Sequence, residues 1–300
     1  MSVDYIGGHG VSHGGFSEKV ISAMRLVSLL LTFVLFSGSL LAQEQPRPVA
    51  DADTTGETKV VAHRGLILDA PENTIASFRA CLELGFGFEF DVQRTKDGHL
   101  VCLHDQTVDR TTDAKGAIAQ LNRYQTVGFD AGSWFSPRFK GQVIPGIDDV
   151  FQLIASYPKS KAIFAVDIKL EDKQVEADLV KLANRYKILH RLLFIGNTIH
   201  DPGVRKRLLA ADATVNLTHV AHDSKELIES IANPNTNWVY VRYLPSTAEV
   251  RKLHAAGKRV FIAGKTVSGL EKEHWQTCID MGIDAILTDY SIELARQMRQ

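Results

Sequence analysis

Eight short apolar runs, each followed by a stretch of helical periodicity, constrain this chain more than any other feature of its sequence. The runs fall at 59–62, 86–92, 162–168, 192–195, 213–217, 238–241, 259–263 and 284–287. The helical stretches fall at about 74–84, 147–156, 173–186, 202–210, 224–232, 246–256, 270–281 and 291–299. Runs such as Ile163-Phe164-Ala165-Val166 are continuously apolar rather than alternating, the pattern of parallel strands buried on both faces. Eight βα units in roughly 240 residues predict a closed, eight-stranded parallel βα (TIM) barrel in preference to a doubly wound open sheet. A hydrophobic content of 45% supplies the core such a barrel needs.

One stretch breaks the repeat. Residues 93–146 separate the second strand from its helix and are too long for a simple connection. They hold a short extra strand at 99–103 and turn-rich sequence around 113–116 and 132–146, so a small inserted cap after the second strand is expected. An insertion that follows a barrel strand stands on the C-terminal face, where active sites of this architecture are built.

Ahead of the barrel, residues 26–41 form an apolar run preceded by Arg25 and followed by Ala42 and polar residues. A basic residue, a short apolar stretch and small residues near its end read as a signal peptide over 24–42, or a membrane anchor if uncleaved. The run falls short of the about 20 residues of a stable span. Translation is expected to begin at Met24. Residues 1–23, with Gly7-Gly8-His9-Gly10 and His13-Gly14-Gly15, are then a non-native or unstructured extension. Residues 43–58, with Pro46, Pro48 and Gly56, read as a linker to a barrel domain at 59–300. The expected location is periplasmic or secreted, with membrane association only through the N-terminal segment. The net charge of −1 gives no support to a nucleic-acid partner or to general binding of anionic membranes. Cys81, Cys102 and Cys278 are too few, and odd in number, for a disulfide framework; buried thiols are expected.

Polar side chains gather at the predicted C-terminal ends of the strands. The first strand runs into His63-Arg64-Gly65, the second carries Glu89 and Asp91, the extra strand runs into His104-Asp105, and the third ends with Asp167 and Lys169. Residues i and i+2 of a strand share a face, so Glu89 and Asp91 point side by side into the barrel mouth, and Asp167 and Lys169 stand in the same relation. Adjacent carboxylates repel unless a cation joins them, and all-oxygen ligation suits magnesium or calcium. Histidine gives and takes protons near neutral pH, and Arg64 offers a planar fork for a phosphate.

The order and spacing of these pieces resemble the glycerophosphodiester phosphodiesterase family. The matching residues are His63-Arg64-Gly65, Pro71-Glu72-Asn73-Thr74, Glu89-x-Asp91, Thr95-Lys96-Asp97-Gly98, His104-Asp105 and Asp109-Arg110-Thr111-Thr112. Asp167-Ile168-Lys169 and the stretch from Gly282 to Tyr290 extend the likeness across the predicted domain. The resemblance implies a βα barrel with an inserted cap, His63 and His104 as the catalytic pair, and one divalent cation, Mg2+ or Ca2+, on Glu89, Asp91 and Asp167. It further implies Arg64 and Lys169 as phosphate contacts, with Pro71–Thr74 shaping the loop that opens the next helix. Two departures stand out. The third acid is usually Glu where this chain has Asp167. The penultimate strand often ends in a Trp-Thr-x-Asn-like pattern where this chain reads Ala263-Gly264-Lys265-Thr266.

The expected reaction is metal-dependent hydrolysis of a small glycerophosphodiester to glycerol 3-phosphate and an alcohol. One histidine deprotonates the attacking hydroxyl, of water or of the substrate's own glycerol, and the other protonates the leaving alcohol. The alternatives are a phospholipase D of the sphingomyelin- or lysolipid-cleaving type and an inactive glycerophosphodiester-binding protein. The sequence leaves the alcohol moiety and the oligomeric state open.

Overall fold

The computed structural model describes residues 56–299. The signal or anchor segment, the extension before it and most of the linker lie outside the described residues. Strand β1 (Lys59–Ala62) leads to α1 (Ile75–Glu83), β2 (Gly87–Arg94) and β3 (Leu100–Cys102). After the short α2 (Arg123–Thr126) come α3 (Ile147–Ala155), β4 (Phe164–Ile168), α4 (Val175–Arg185), β5 (Leu192–Ile195) and α5 (Pro202–Ala211). The chain continues through β6 (Asn216–Ala221), α6 (Ser224–Ile231), β7 (Trp238–Val241), α7 (Thr247–Ala255) and β8 (Arg259–Ile262). It finishes with α8 (Lys272–Met281), β9 (Ala285–Thr288) and α9 (Ser291–Gln297).

Eight of the strands form a parallel barrel in the order β1-β2-β4-β5-β6-β7-β8-β9, closed where β1 pairs with β9 on one side and β2 on the other. The ninth, β3, pairs antiparallel with the end of β2 and stands outside the ring. Side-chain alternation on β2 shows how the barrel positions its site. Phe88 and Phe90 face outward: Phe88 stacks on Phe78 of α1 with ring centroids 4.2 Å apart, and Phe90 meets Phe151 of α3 edge-on at 6.2 Å. Burying each of these rings contributes roughly 1.5–3 kcal/mol. With the even residues fixed against the helices, Glu89 and Asp91 have to point into the barrel, because a strand reverses face at every residue.

The cap has a small core of its own, built from Val101, Leu103, Val108, Ile118, Ala131 and Ile144. Thr74 ends the loop before α1 and caps it by accepting from the Ser77 amide, which shapes the Pro71–Thr74 loop at the helix entry. All three cysteines are buried free thiols.

One strand sits later than its apolar pattern implied. Residues 213–217 were expected to be extended, whereas β6 covers Asn216–Ala221. Asp212 accepts from the amide and hydroxyl of Thr214, making a turn of residues that look strand-like. The polar residues of β6 find partners in the barrel: Asn216 donates to the carbonyls of His190 and Leu192, and Thr218 to that of Phe194. Among the described residues no helix is long and apolar enough to cross a membrane.

Candidate active site

The barrel register brings the acids together. β2 and β4 pair with Asp91 opposite Asp167, and Glu89 precedes Asp91 on the same face. One carboxylate oxygen from each of Glu89, Asp91 and Asp167 lies within 4.8 Å of the others. Burial, with Asp91 and Asp167 alongside, pushes the Glu89 carboxyl well above the usual carboxylate range. Burial likewise raises Asp167, against the pull of Lys169 and, more weakly, of His104.

Lys169, one residue beyond β4, places Nζ 2.5 Å from Asp167 Oδ2 and 3.2 Å from Asp91 Oδ1. Burial works against its charge, and the two aspartates outweigh that and hold its pKa above the ordinary lysine value. Asp91 Oδ1 is buried, and its 3.2 Å contact with the Lys169 ammonium is an ion pair without hydrogen-bond geometry. A buried carboxylate oxygen with no aligned hydrogen-bond donor, inside a set of three acids, belongs to a donor set that fits a hard divalent cation.

Arg64 takes a left-handed backbone conformation, with φ of 53°. Its amide donates to Glu89 Oε2 at 2.9 Å, while its guanidinium reaches Glu72 Oε1 at 3.0 Å and lies 3.5 Å from Asp91 Oδ2. Asn73, also left-handed at φ 55°, donates through Nδ2 to Asp91 Oδ2 at 2.7 Å and accepts the thiol of Cys102. Such conformations cost about 1–3 kcal/mol each and persist where surrounding bonds enforce them. Here those bonds are the ones that fix the carboxylates of the cluster.

Each candidate histidine is tied to an acid through Nδ1. His63 and Asp289 stand one residue past β1 and β9, whose last paired residues are Ala62 and Thr288. Their side chains meet at 2.6 Å. His104 Nδ1 is 2.7 Å from Asp105 Oδ1. Arg110 from the cap donates to Asp105 Oδ2 at 2.7 Å and grips Glu72 with two further bonds of 2.6 and 2.9 Å. The Arg110 bond holds the Asp105 carboxyl down at about 2. Burial raises the Glu72 carboxyl, but Arg110 and Arg64 outweigh it and keep it below its ordinary value. A carboxylate at Nδ1 places a proton on that nitrogen and leaves Nε2 for exchange with a bound molecule.

All seven residues singled out from the sequence therefore meet at one end of the barrel. Asp289, Asp105, Glu72, Arg110 and Asn73 join them, and sequence reasoning had assigned none of these a role at the site. Asp105 was the most accessible, as the immediate neighbour of His104. Asp289 lay in the stretch that resembles the family's last strand, but its contact with His63 exists only because the first strand pairs with the last.

The sequence profile of the Glycerophosphoryl diester phosphodiesterase family matches residues 63–293. The chain is 33% identical over 247 residues to a glycerophosphodiester phosphodiesterase of Caldanaerobacter subterraneus subsp. tengcongensis, covering 78% of this chain and 94% of that protein. The crystal structure of a glycerophosphodiester phosphodiesterase from Agrobacterium tumefaciens aligns with a TM-score of 0.69 at 23% identity, over 80% of this chain and 99% of that one. An Oleispira antarctica phosphodiesterase, solved in complex with the product sn-glycerol-3-phosphate, aligns with a TM-score of 0.67 at 22% identity, over 81% and 98%. At these identities the two structures establish the barrel fold.

Proposed function

This chain belongs to the glycerophosphoryl diester phosphodiesterase family and is a phosphoric diester hydrolase, and from that premise we propose that it cleaves glycerophosphodiesters to glycerol 3-phosphate and an alcohol. The observation that carries this reading is the placement of two imidazoles, each tied through Nδ1 to a carboxylate, at the same mouth as the buried acid cluster. The product bound to the Oleispira enzyme is the one assigned here.

In this reading His63 and His104 are the acid/base pair. One takes the proton of the attacking hydroxyl, whether of water or of the substrate's neighbouring glycerol carbon, and the other protonates the departing alcohol. Asp289 and Asp105 keep the imidazoles in the tautomer and orientation this exchange needs, and Arg110 in turn fixes Asp105. Glu89, Asp91 and Asp167 would hold one divalent cation, magnesium or calcium, which would offset charge on a nonbridging phosphate oxygen as the transition state forms. Lys169 and Arg64, which border the acids, would contact the phosphate.

A panel of glycerophosphodiesters and lysolipids, assayed with magnesium, calcium and manganese, tests the reading. Turnover of glycerophosphodiesters is expected to fall to background with a chelator and to return with one of the metals. Cleavage of lysolipids alone would assign the chain to the phospholipase D alternative, and full activity in the chelator would remove the cation from the scheme.

The reaction is placed outside the cytoplasm on the sequence of residues 24–42 alone. N-terminal sequencing of natural material should then begin near Gln43; a cytoplasmic chain that retains Met1 overturns both the export assignment and the start at Met24.

A further inference from the structure

Around the ring, β7 and β8 stand across the barrel from β2 and β4, four strands away in either direction. The acid cluster and both histidine pairs belong to the arc formed by β9, β1, β2 and β4. The opposite arc lies across the mouth from the acids and the histidine pairs.

Two side chains dominate that side of the mouth. Tyr240 of β7 is buried, and its hydroxyl is near enough to Asp167 and Glu89 to feel their charge, though burial is the larger cause of its raised pKa. Arg242 stands one residue past β7 and is exposed. Its Nη1 donates to Tyr240 Oη at 2.5 Å, and its guanidinium carbon sits 5.4 Å from the centre of the Tyr240 ring.

The guanidinium then spreads over the exit of β8, where Gly264 leaves room for it. A methyl group at that glycine would stand 3.3 Å from Arg242 Nε and 3.6 Å from Nη2. Gly264 also has φ of 103°, which side chains rarely adopt. This is the stretch where the sequence departs from the pattern the family resemblance leads one to expect, reading Ala263-Gly264-Lys265. Small residues at the exit of β8 and the arginine that follows β7, laid over them, form one arrangement.

The charge balance separates Arg242 from the other cations of the mouth. Arg64 and Arg110 are paired with Glu72, and Lys169 with Asp167 and Asp91. Among the described residues neither Arg242 nor the exposed Lys265 has a carboxylate within ion-pair distance. An exposed arginine anchored by a buried tyrosine and without a carboxylate partner is arranged to receive an anion from solution.

Resting on the functional reading above, the geometry points to Arg242 as a specificity-determining residue: it selects phosphodiesters whose alcohol half carries its own negative charge, a phosphomonoester or a carboxylate. Lys265 adds positive charge at the same rim. A choline-type trimethylammonium on the alcohol would meet this arginine with the wrong sign.

Three substrates that share the scissile group test this with the full chain: glycerophosphoglycerol, the same compound bearing a terminal phosphomonoester, and glycerophosphocholine. The wild type is expected to show its highest kcat/KM on the phosphomonoester and its lowest on the choline compound. In Arg242→Gln the ratio of kcat/KM on the phosphomonoester to that on glycerophosphoglycerol should fall at least tenfold, mostly through KM. Arg242→Lys should retain part of the preference, and Arg242→Glu should favour the choline compound. An equal loss on all three substrates in Arg242→Gln overturns the proposal by assigning Arg242 to the shared half of the substrate. An unchanged ratio overturns it as well. A wild type that cleaves none of the three overturns the functional reading itself, whereas turnover without the charge preference overturns only the role of Arg242.

Discussion

Replacing either His63 or His104 by alanine is expected to lower kcat by about 100-fold or more, the scale on which a positioned acid or base contributes. Both imidazoles lie at the rim, with side chains 30% and 33% exposed. Removing them leaves no core cavity, and the variants should unfold at the same denaturant concentration as the wild type. The measurement is kcat on the best glycerophosphodiester, alongside a urea unfolding curve for each variant. A folded variant with near-full activity strikes that histidine from the mechanism. The Nδ1 contacts sharpen the expectation: Asp289→Asn should impair the His63 step alone, because Asp289 meets no other residue of the histidine pairs.

The second large effect concerns Asp167. Aspartate is one carbon–carbon bond shorter than glutamate, about 1.5 Å, yet its carboxylate joins Glu89 and Asp91 within 4.8 Å. Gly196, one residue past β5, contributes to that placement. A methyl group there would lie 2.0 Å from Asp167 Oδ1 and 2.4 Å from its carboxyl carbon, and Gly196 has φ of 90°. Asp167→Asn is expected to raise the magnesium or calcium concentration for half-maximal activity at least tenfold, about 1.4 kcal/mol. Gly196→Ala should do the same by displacing the carboxylate. Asp167→Glu should remain active and shift which of the two metals works better, since calcium accepts looser coordination than magnesium. Metal titrations of activity, paired with calorimetric titration of the same proteins, check all three. An asparagine variant with an unchanged metal requirement removes Asp167 from the cluster.

Much of this site was legible in the sequence because strand chemistry is local. The two-residue spacing of Glu89 and Asp91 fixes a shared face wherever the strand lies, and the outward packing of Phe88 and Phe90 on α1 and α3 decides which face that is. His63, His104, Asp167 and Lys169 were found by the same logic, as polar residues terminating apolar strands. The placement of β6 was misjudged because Asn216 and Thr218 look unlike barrel residues until the carbonyls that accept from them are known.

By itself, then, the sequence determined the number of βα units, the location of the cap and the end of the barrel that carries the chemistry. Each of these follows from hydrophobic periodicity and from residue types at strand ends. Only the tertiary structure decided who meets whom around the ring. His63 reaches Asp289 across 226 residues because β1 pairs with β9, Arg110 of the cap reaches Glu72 across 38, and Arg242, just past β7, lies over Gly264 beyond β8. Local pattern carries no record of such contacts, because a strand's periodicity states which way a side chain points, whereas its partner is set by closure of the barrel and by the register of strands far apart in the chain.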